Sequence, residues 1–253
     1  MTEQKQSRRD DGYWAKPVAR LDPKESDASN VRGRRLNAAA GGFGWLYQKT
    51  FRVRLAGANV GPREVIRTWK EHFGDFWAKG RRMFLPATGI APGEIGIISD
   101  SATVPVAPAL HTGVLVIYAD DESFSFMSPE GHPFAGPLTF SAYADEDGTT
   151  VVQVQELTRA SDPFWELMMH TPLLGDRMQN EIWRSTLRNL ARHFGVEAPV
   201  ETKIVVVDRR WQWKYARNIW QNAGIRSTLF APVRWIRPRG RKSKAAASEQ
   251  AAR

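Results

Sequence analysis

Glu156 is the ionisable residue of this chain best placed to do chemistry. Val152, Val154 and Glu156 alternate with Gln153, Gln155 and Leu157, so in an extended segment the two valines and the carboxylate share one face. If the valines point inward, Glu156 does too, and there it can act as an acid, a base or a ligand anchor. Arg159, Arg52 or Arg54 can instead neutralise it across neighbouring strands. Tyr143 and His111 follow it as candidate acids or bases. The five histidines are His72, His111, His132, His170 and His193. No two have the i, i+4 spacing of a helical metal site and there is no HExxH, so no metal is expected. His72 and His193 fall near expected helix C-termini, where the dipole favours a cationic ring. No Ser-His-Asp order, P-loop or glycine fingerprint is present, and no cofactor is expected.

A second constellation lies at 208–224, where Trp211, Trp213 and Trp220 are interleaved with Arg210, Lys214 and Arg217. At about 100° per residue the pattern predicts a helix over 209–222. The tryptophans, Tyr215, Ala216, Ile219 and Ala223 take one broad side, and the three cations and Gln221 take the other. That is the composition of an interfacial membrane helix, and an anionic membrane surface is the partner it implies. Docking of the aromatic side on the body or on a second subunit is the competing expectation. Phe230, Val233, Trp235 and Ile236, interleaved with Arg234, Arg237 and Arg239, continue the theme. Single-stranded nucleic acid also favours aromatic-basic interleaving, but the rest of the chain argues against it.

That rest is acidic. The net charge of +9 divides into +3 over 1–44, −5 over 45–202 and +11 over 203–253, so the basicity belongs to the C-terminal fifth. A basic end on an acidic body points to phosphates as partners of that end, and gives no broad nucleic-acid groove. Ten Trp and twelve Phe supply a core and exclude a mostly disordered chain. The absence of Cys excludes a disulfide framework, a thiolate zinc site and a Cys nucleophile. With no apolar stretch behind a basic start, the expected location is cytoplasmic, with peripheral membrane contact through the extension.

The elements that must position these residues are legible from periodicity. Residues 47–56 alternate Phe51, Val53 and Leu55 with Thr50, Arg52 and Arg54, a half-buried strand. Pro62 opens a helix with Val65, Ile66, Trp69 and Phe73 on one face. Gly74 is expected to end it, and Asp75 to cap a short turn containing Phe76 and Trp77. Strands are expected at 94–99, 112–119, 123–128, 136–143 and 149–159, with hairpin turns at 119–122 and 145–148. Asp162-Pro163 starts a helix bearing Phe164, Leu167 and Met168. Thr171-Pro172 and Gly175 break it. It resumes near Asp176 with Trp183, Leu187, Leu190 and Phe194, and ends at Gly195. One face of the antiparallel sheet is apolar and needs this helix as its cover. Residues 1–44 read as a flexible arm, 45–200 as the domain, 201–238 as the basic Trp-rich extension and 239–253 as a disordered tail.

This order resembles the α+β helix-grip fold of the START-like, or SRPBCC, superfamily, which groups plant pollen allergens, polyketide cyclase/dehydrases and lipid-transfer proteins. In that fold a curved antiparallel sheet wraps a long C-terminal helix, with two short helices after the first strand. The resemblance covers about 45–195. It rests on Phe51-Arg-Val-Arg-Leu55 followed by Pro62-Arg-Glu-Val-Ile-Arg-Thr-Trp69, and on Leu157-Thr-Arg-Ala-Ser-Asp-Pro163 leading into the final helix. The break at Pro172 departs from it. So does Ile204 to Val207, a strand-like segment that extends the sheet edge or pairs with another chain, as in a homodimer. The resemblance implies a cavity between sheet and helix that holds a hydrophobic small molecule such as a lipid or polyketide. Tyr118, Phe124, Phe126, Phe140, Tyr143, Trp165, Met168 and Met169 would line it, unless they simply fill a core. It implies no shared catalytic motif. A cyclase/dehydratase-type enzyme using the same cavity and an interaction module working through the extension are the competing functions.

Overall fold

The computed structural model describes residues 11–23, 30–77, 81–100, 110–170 and 176–229. β1 (Leu46–Arg54) is followed by α1 (Pro62–Glu71) and the short α2 (Phe73–Phe76). Six strands follow: β2 (Arg81–Phe84), β3 (Ile95–Asp100), β4 (Leu110–Ala119), β5 (Ser123–Met127), the two-residue β6 (Phe134–Ala135) and β7 (Pro137–Ala144). Then come β8 (Thr150–Ala160), α3 (Pro163–His170), α4 (Asp176–His193), β9 (Glu201–Asp208), a 3-10 turn (Trp213–Gln221) and α5 (Ala223–Leu229). The strands pair antiparallel in the order β2-β3-β4-β5-β7-β8-β1-β9, with β6 on β8. This sheet grips α4, whose Leu187, Leu190 and Ala191 are fully buried in the core formed with β1 and β8. The chain has the helix-grip fold.

Local chemistry explains the elements. Pro62 sits at the first helical position of α1, and Val65, Ile66 and Trp69 form its buried stripe. Gly74 does not end α1. The helix gives way at His72, which leaves helical geometry, and α2 begins at Phe73 with Asp75 inside it. Phe73 and Phe76 are both buried, so packing sets that boundary rather than the glycine. Gly148, at φ 81°, closes the hairpin between β7 and β8, where Arg54 holds Asp145 and Asp147. Asp162 caps α3 by accepting the Trp165 N–H at 3.1 Å. The break expected at Pro172 lies outside the described residues. So do Phe230 to Arg239 and the tail.

Two expectations are corrected. Residues 11–23 and 30–44 do not form a loose arm. They cover the outer face of the sheet, where Leu21 and Val31 are buried with Leu115 and pack against Leu36, Ile95, Ile97 and Ile117. The Ala15 N–H donates to Ile117 O at 2.9 Å, and Trp14 and Leu36 make β-bridges to Tyr118 and Pro129. The cause is β4, which is apolar on both faces: Val114 and Val116 enter the main core, and Leu115 and Ile117 need a second cover. The α-helix expected over 209–222 is instead the 3-10 turn at Trp213–Gln221. Ile204 to Val207 resolve as part of β9, paired with β1 along Glu201–Asp208. Ile204, Val205 and Val207 remain substantially exposed there, at the last strand of the sheet.

Candidate functional site

On β1, Lys49 belongs to the same face as Phe51 and Val53, both of which are in the core. On β8, Glu156 shares its face with Val152 and Val154. The register makes Lys49 and Glu156 direct cross-strand partners. Both are almost completely buried, at 2% and 4% exposure. α4 lies over them and supplies the remaining polar groups. The Lys49 ammonium donates to Asn180 Oδ1 at 3.2 Å, and the Trp183 indole N–H donates to Glu156 Oε1 at 2.5 Å. The Tyr47 ring lies 5.3 Å from the ammonium, and Thr158, opposite Tyr47 in register, is also buried. Removing two charges from water costs several kcal/mol per ion, so such a pair persists only where neighbours satisfy it, as Asn180 and Trp183 do here. Chemically it offers a cationic donor and an anionic acceptor side by side, able to hold a polar head group or relay a proton.

Beyond Trp183 the interior turns aromatic. Its ring is 5.7 Å from that of Phe140. Phe140 stacks on Phe124 at 4.7 Å, and Phe126 lies 5.3 Å from Phe140. Trp69 of α1 and Phe73 of α2 press edge-on against this floor, at 5.1 Å and 5.3 Å from Phe140. Trp183 thus joins a packed aromatic end of the grip to a polar end.

The structure separates the expected lining residues. Phe124, Phe126 and Phe140 are together and tightly packed. Trp165, Met168 and Met169 are half-buried on α3, which packs on β8 and the 3-10 turn rather than over that floor. Tyr118 is not an interior residue. A bulge between Val116 and Tyr118 sends its ring outward onto Trp14, 4.7 Å away, and its hydroxyl donates to Asp120 at 2.6 Å. Tyr143 is exposed near the end of β7. His111 pairs with Ser99 in the β3–β4 register, its Nδ1 3.1 Å from the Ser99 hydroxyl. It shares the alternate positions of Gly113 and Leu115, the face covered by Val31, so it is remote from Glu156. The three arginines expected as alternative partners of Glu156 occupy the opposite face of the sheet. Arg159 pairs with Asp208 at 2.6 Å, Arg52 donates to Gln153, and Arg54 holds Asp145 and Asp147. Lys49 takes that role, Trp183 adds a hydrogen bond, and the sequence reading passed over Lys49. Its signal was present: it stands two residues before Phe51, on the inward parity of β1.

The 3-10 turn is fastened to the body by amides. Asn218 donates to the carbonyls of Gly41 and Ser161, both at 2.9 Å, and Asn222 donates to Asp162 at 2.9 Å. Burial pushes the Asp162 carboxyl above its ordinary pKa, against its bonds from Trp165 and Asn222. Trp211 and Trp213 pack on Phe43, with centroids at 6.1 Å and 5.4 Å, and the Trp211 indole donates to Glu166 at 3.0 Å. Arg210 is bound to Asp208 through its side chain and its backbone N–H. These bonds, with that of Arg159, hold the Asp208 carboxyl well below its ordinary range. At three residues per turn, Lys214, Arg217 and Trp220 align on one exposed row, so the two cations and the most exposed of the described tryptophans, at 82%, share a side rather than oppose each other. The described residues contain no group of three His, Asp or Glu that could hold a metal ion, and no helix long and apolar enough to cross a membrane.

No known protein family matches the chain, and no curated protein matches it. Solved structures similar to it include the di-domain ARO/CYC StfQ from the steffimycin biosynthetic pathway, at 13% identity and TM-score 0.42, over 59% of this chain and 50% of that one. Major latex-like protein 151 from Panax ginseng is similar at 13% identity and TM-score 0.33, over 59% and 98% of the two chains. A Thalictrum flavum norcoclaurine synthase point mutant in complex with a transition-state analogue is similar at 12% identity and TM-score 0.41, over 59% and 95%. At these scores the functional reading rests on this chain's own residues.

Proposed function

We propose that this protein binds a small, mainly apolar molecule, lipid-like or polyketide-like, whose polar head engages Lys49 and Glu156. The observation that supports this is the buried pair itself, set on the gripping face and bracketed by Asn180 and Trp183. Well-packed apolar residues in its place would be neutral or stabilising by about 1–4 kcal/mol, so stability alone gives no reason for it. The aromatic floor beside it suits rings or an alkyl chain. The same pair supports a second reading, acid–base catalysis of the cyclase/dehydratase kind, with Glu156 accepting a proton and Lys49 stabilising the anion formed. The exposed row Lys214, Arg217 and Trp220 supports work at an anionic membrane surface. The exposed apolar residues of β9 support pairing with a second copy.

Anilinonaphthalene sulfonate, an apolar body with an anionic head, tests the site. The folded protein is expected to give saturable one-to-one fluorescence enhancement that is lost in Lys49→Met/Glu156→Leu, a variant that keeps the interior filled. Enhancement of equal strength in both proteins, or none in either, rules the site out.

A further inference from the structure

A cleft of about 480 Å³ opens on the side of the molecule where the N-terminal segment meets α5. Its walls are Arg20, Arg32, Arg34 and Arg35 from the N-terminal segment and Arg226 from α5, completed by Gly33, Glu130 and Gln221. We propose that this arginine cleft binds a di- or oligophosphate group.

The rim is fixed by backbone bonds from three separate parts of the chain. The Leu21 N–H donates to Arg34 O at 2.7 Å, and the Gly33 N–H donates to Leu21 O at 2.8 Å. Gly33 turns there at φ 75°, in the left-handed region that glycine enters freely. The Glu130 N–H donates to Arg35 O, and the Arg35 N–H returns to the Glu130 carboxylate at 3.2 Å. The Ala223 N–H donates to Gly131 O at 2.9 Å, which seats α5 beside that loop. The backbone positions that carry the arginines are therefore held next to one another around the cleft.

Charge is unbalanced inside the rim. Five arginines face a single lining carboxylate, and that carboxylate is already engaged by a backbone N–H. Arg20 donates to the Gly33 carbonyl at 2.6 Å, a neutral acceptor that leaves its charge in place, whereas Arg32 donates to the Pro23 carbonyl at 2.7 Å and also pairs with Asp22 at 3.5 Å, an exposed ion pair that offsets part of its charge. Partial burial, and then the neighbouring Arg226, hold the Arg34 guanidinium below its ordinary pKa, with Glu130 acting in the other direction. Like charges held together this way are relieved by an anion between them. A monovalent ion offsets one charge of this cluster, whereas a diphosphate offsets several. The guanidinium fork also matches phosphate oxygens in pairs. The interior pair Lys49–Glu156 takes no part, so this site stands or falls apart from the proposed ligand grip.

The test is calorimetric titration of the full chain with tripolyphosphate. Saturable binding is expected, weakened by at least about tenfold in Arg34→Gln/Arg226→Gln. Arg35→Gln, at an exposed position, is expected to weaken it as well and serves if the double variant does not fold. Glu130→Gln is expected to tighten it. Arg241→Gln/Lys242→Gln/Lys244→Gln is expected to leave it unchanged. A parallel arm uses phosphatidylcholine vesicles with and without phosphatidylinositol bisphosphate. Recruitment that tripolyphosphate reverses identifies a lipid head group as the source, and tripolyphosphate binding without recruitment identifies a soluble phosphate ester. Absence of binding in both arms overturns the proposal. So does binding that the cleft variants leave intact or the tail variant abolishes.

Discussion

Lys49 opposite Glu156 is a pair whose members depend on each other. Lys49→Met leaves the Glu156 carboxylate buried without its cross-strand cation, and is expected to cost about 3–5 kcal/mol. Replacing both, as Lys49→Met/Glu156→Leu, is expected to recover most of that loss. Urea unfolding of the two variants decides it, and equal destabilisation by both would show that the charges are not coupled. Half of this pair was legible in the sequence. The alternation of Val152, Val154 and Glu156 placed the carboxylate inward. Its partner depends on strand register, which periodicity does not fix, and three arginines on the opposite parity obscured Lys49. His132 gives a second residue-scale prediction. Dehydration of its partly buried ring, opposed by a hydrogen bond to the Phe134 backbone, pushes its pKa down to about 4. The folded state therefore favours the neutral ring. This contribution to stability is complete above about pH 6.5, the unfolded value, and is lost as pH falls toward 4. His132→Gln is expected to flatten the stability profile across that window, and an unchanged slope in the variant would assign the acid sensitivity elsewhere.

Elements were legible where one face is apolar and misread where both are. β1, α1, the hairpins and α4 fall close to their expected places because each shows a single clean period. β4 runs Val114, Leu115, Val116, Ile117 without alternation, the sign of a strand covered twice, and its second cover is the segment read as a loose arm. Leu21→Ala is therefore expected to destabilise the protein by about 2–4 kcal/mol in chemical denaturation. A change near zero would return that segment to the status of an arm. The 3-10 turn was misread because helical periodicity ignores Asn218 and Asn222, whose amides fasten the turn to Gly41, Ser161 and Asp162. That geometry changes what the extension offers to a membrane. Lys214→Gln/Arg217→Gln/Trp220→Ala removes an exposed row without touching those amides. It is expected to abolish sedimentation with phosphatidylserine vesicles and to leave the melting temperature unchanged. Undiminished sedimentation would exclude this row as the contact.

At the scale of the whole molecule, a helix-grip body carries two flanking segments, within 11–44 and 209–229, whose described residues pack back onto it. The N-terminal segment seals the outer face, and the C-terminal turn docks on the start of β1 and α3 through Phe43, Glu166 and Asp162. The +11 of the C-terminal fifth is therefore partly built into the surface, where Arg226 joins four arginines from the opposite end of the chain. The interior they enclose is aromatic at one end and ionic at the other, and that asymmetry underlies the proposed grip on an apolar molecule with a polar head. The direct test is native mass spectrometry of the protein purified from its own host. The wild-type chain is expected to carry a bound small molecule that is released on denaturation, and the Lys49→Met/Glu156→Leu variant, purified identically, is expected to carry none. A wild-type protein at its bare chain mass, or an adduct retained undiminished by the variant, would contradict the proposed grip.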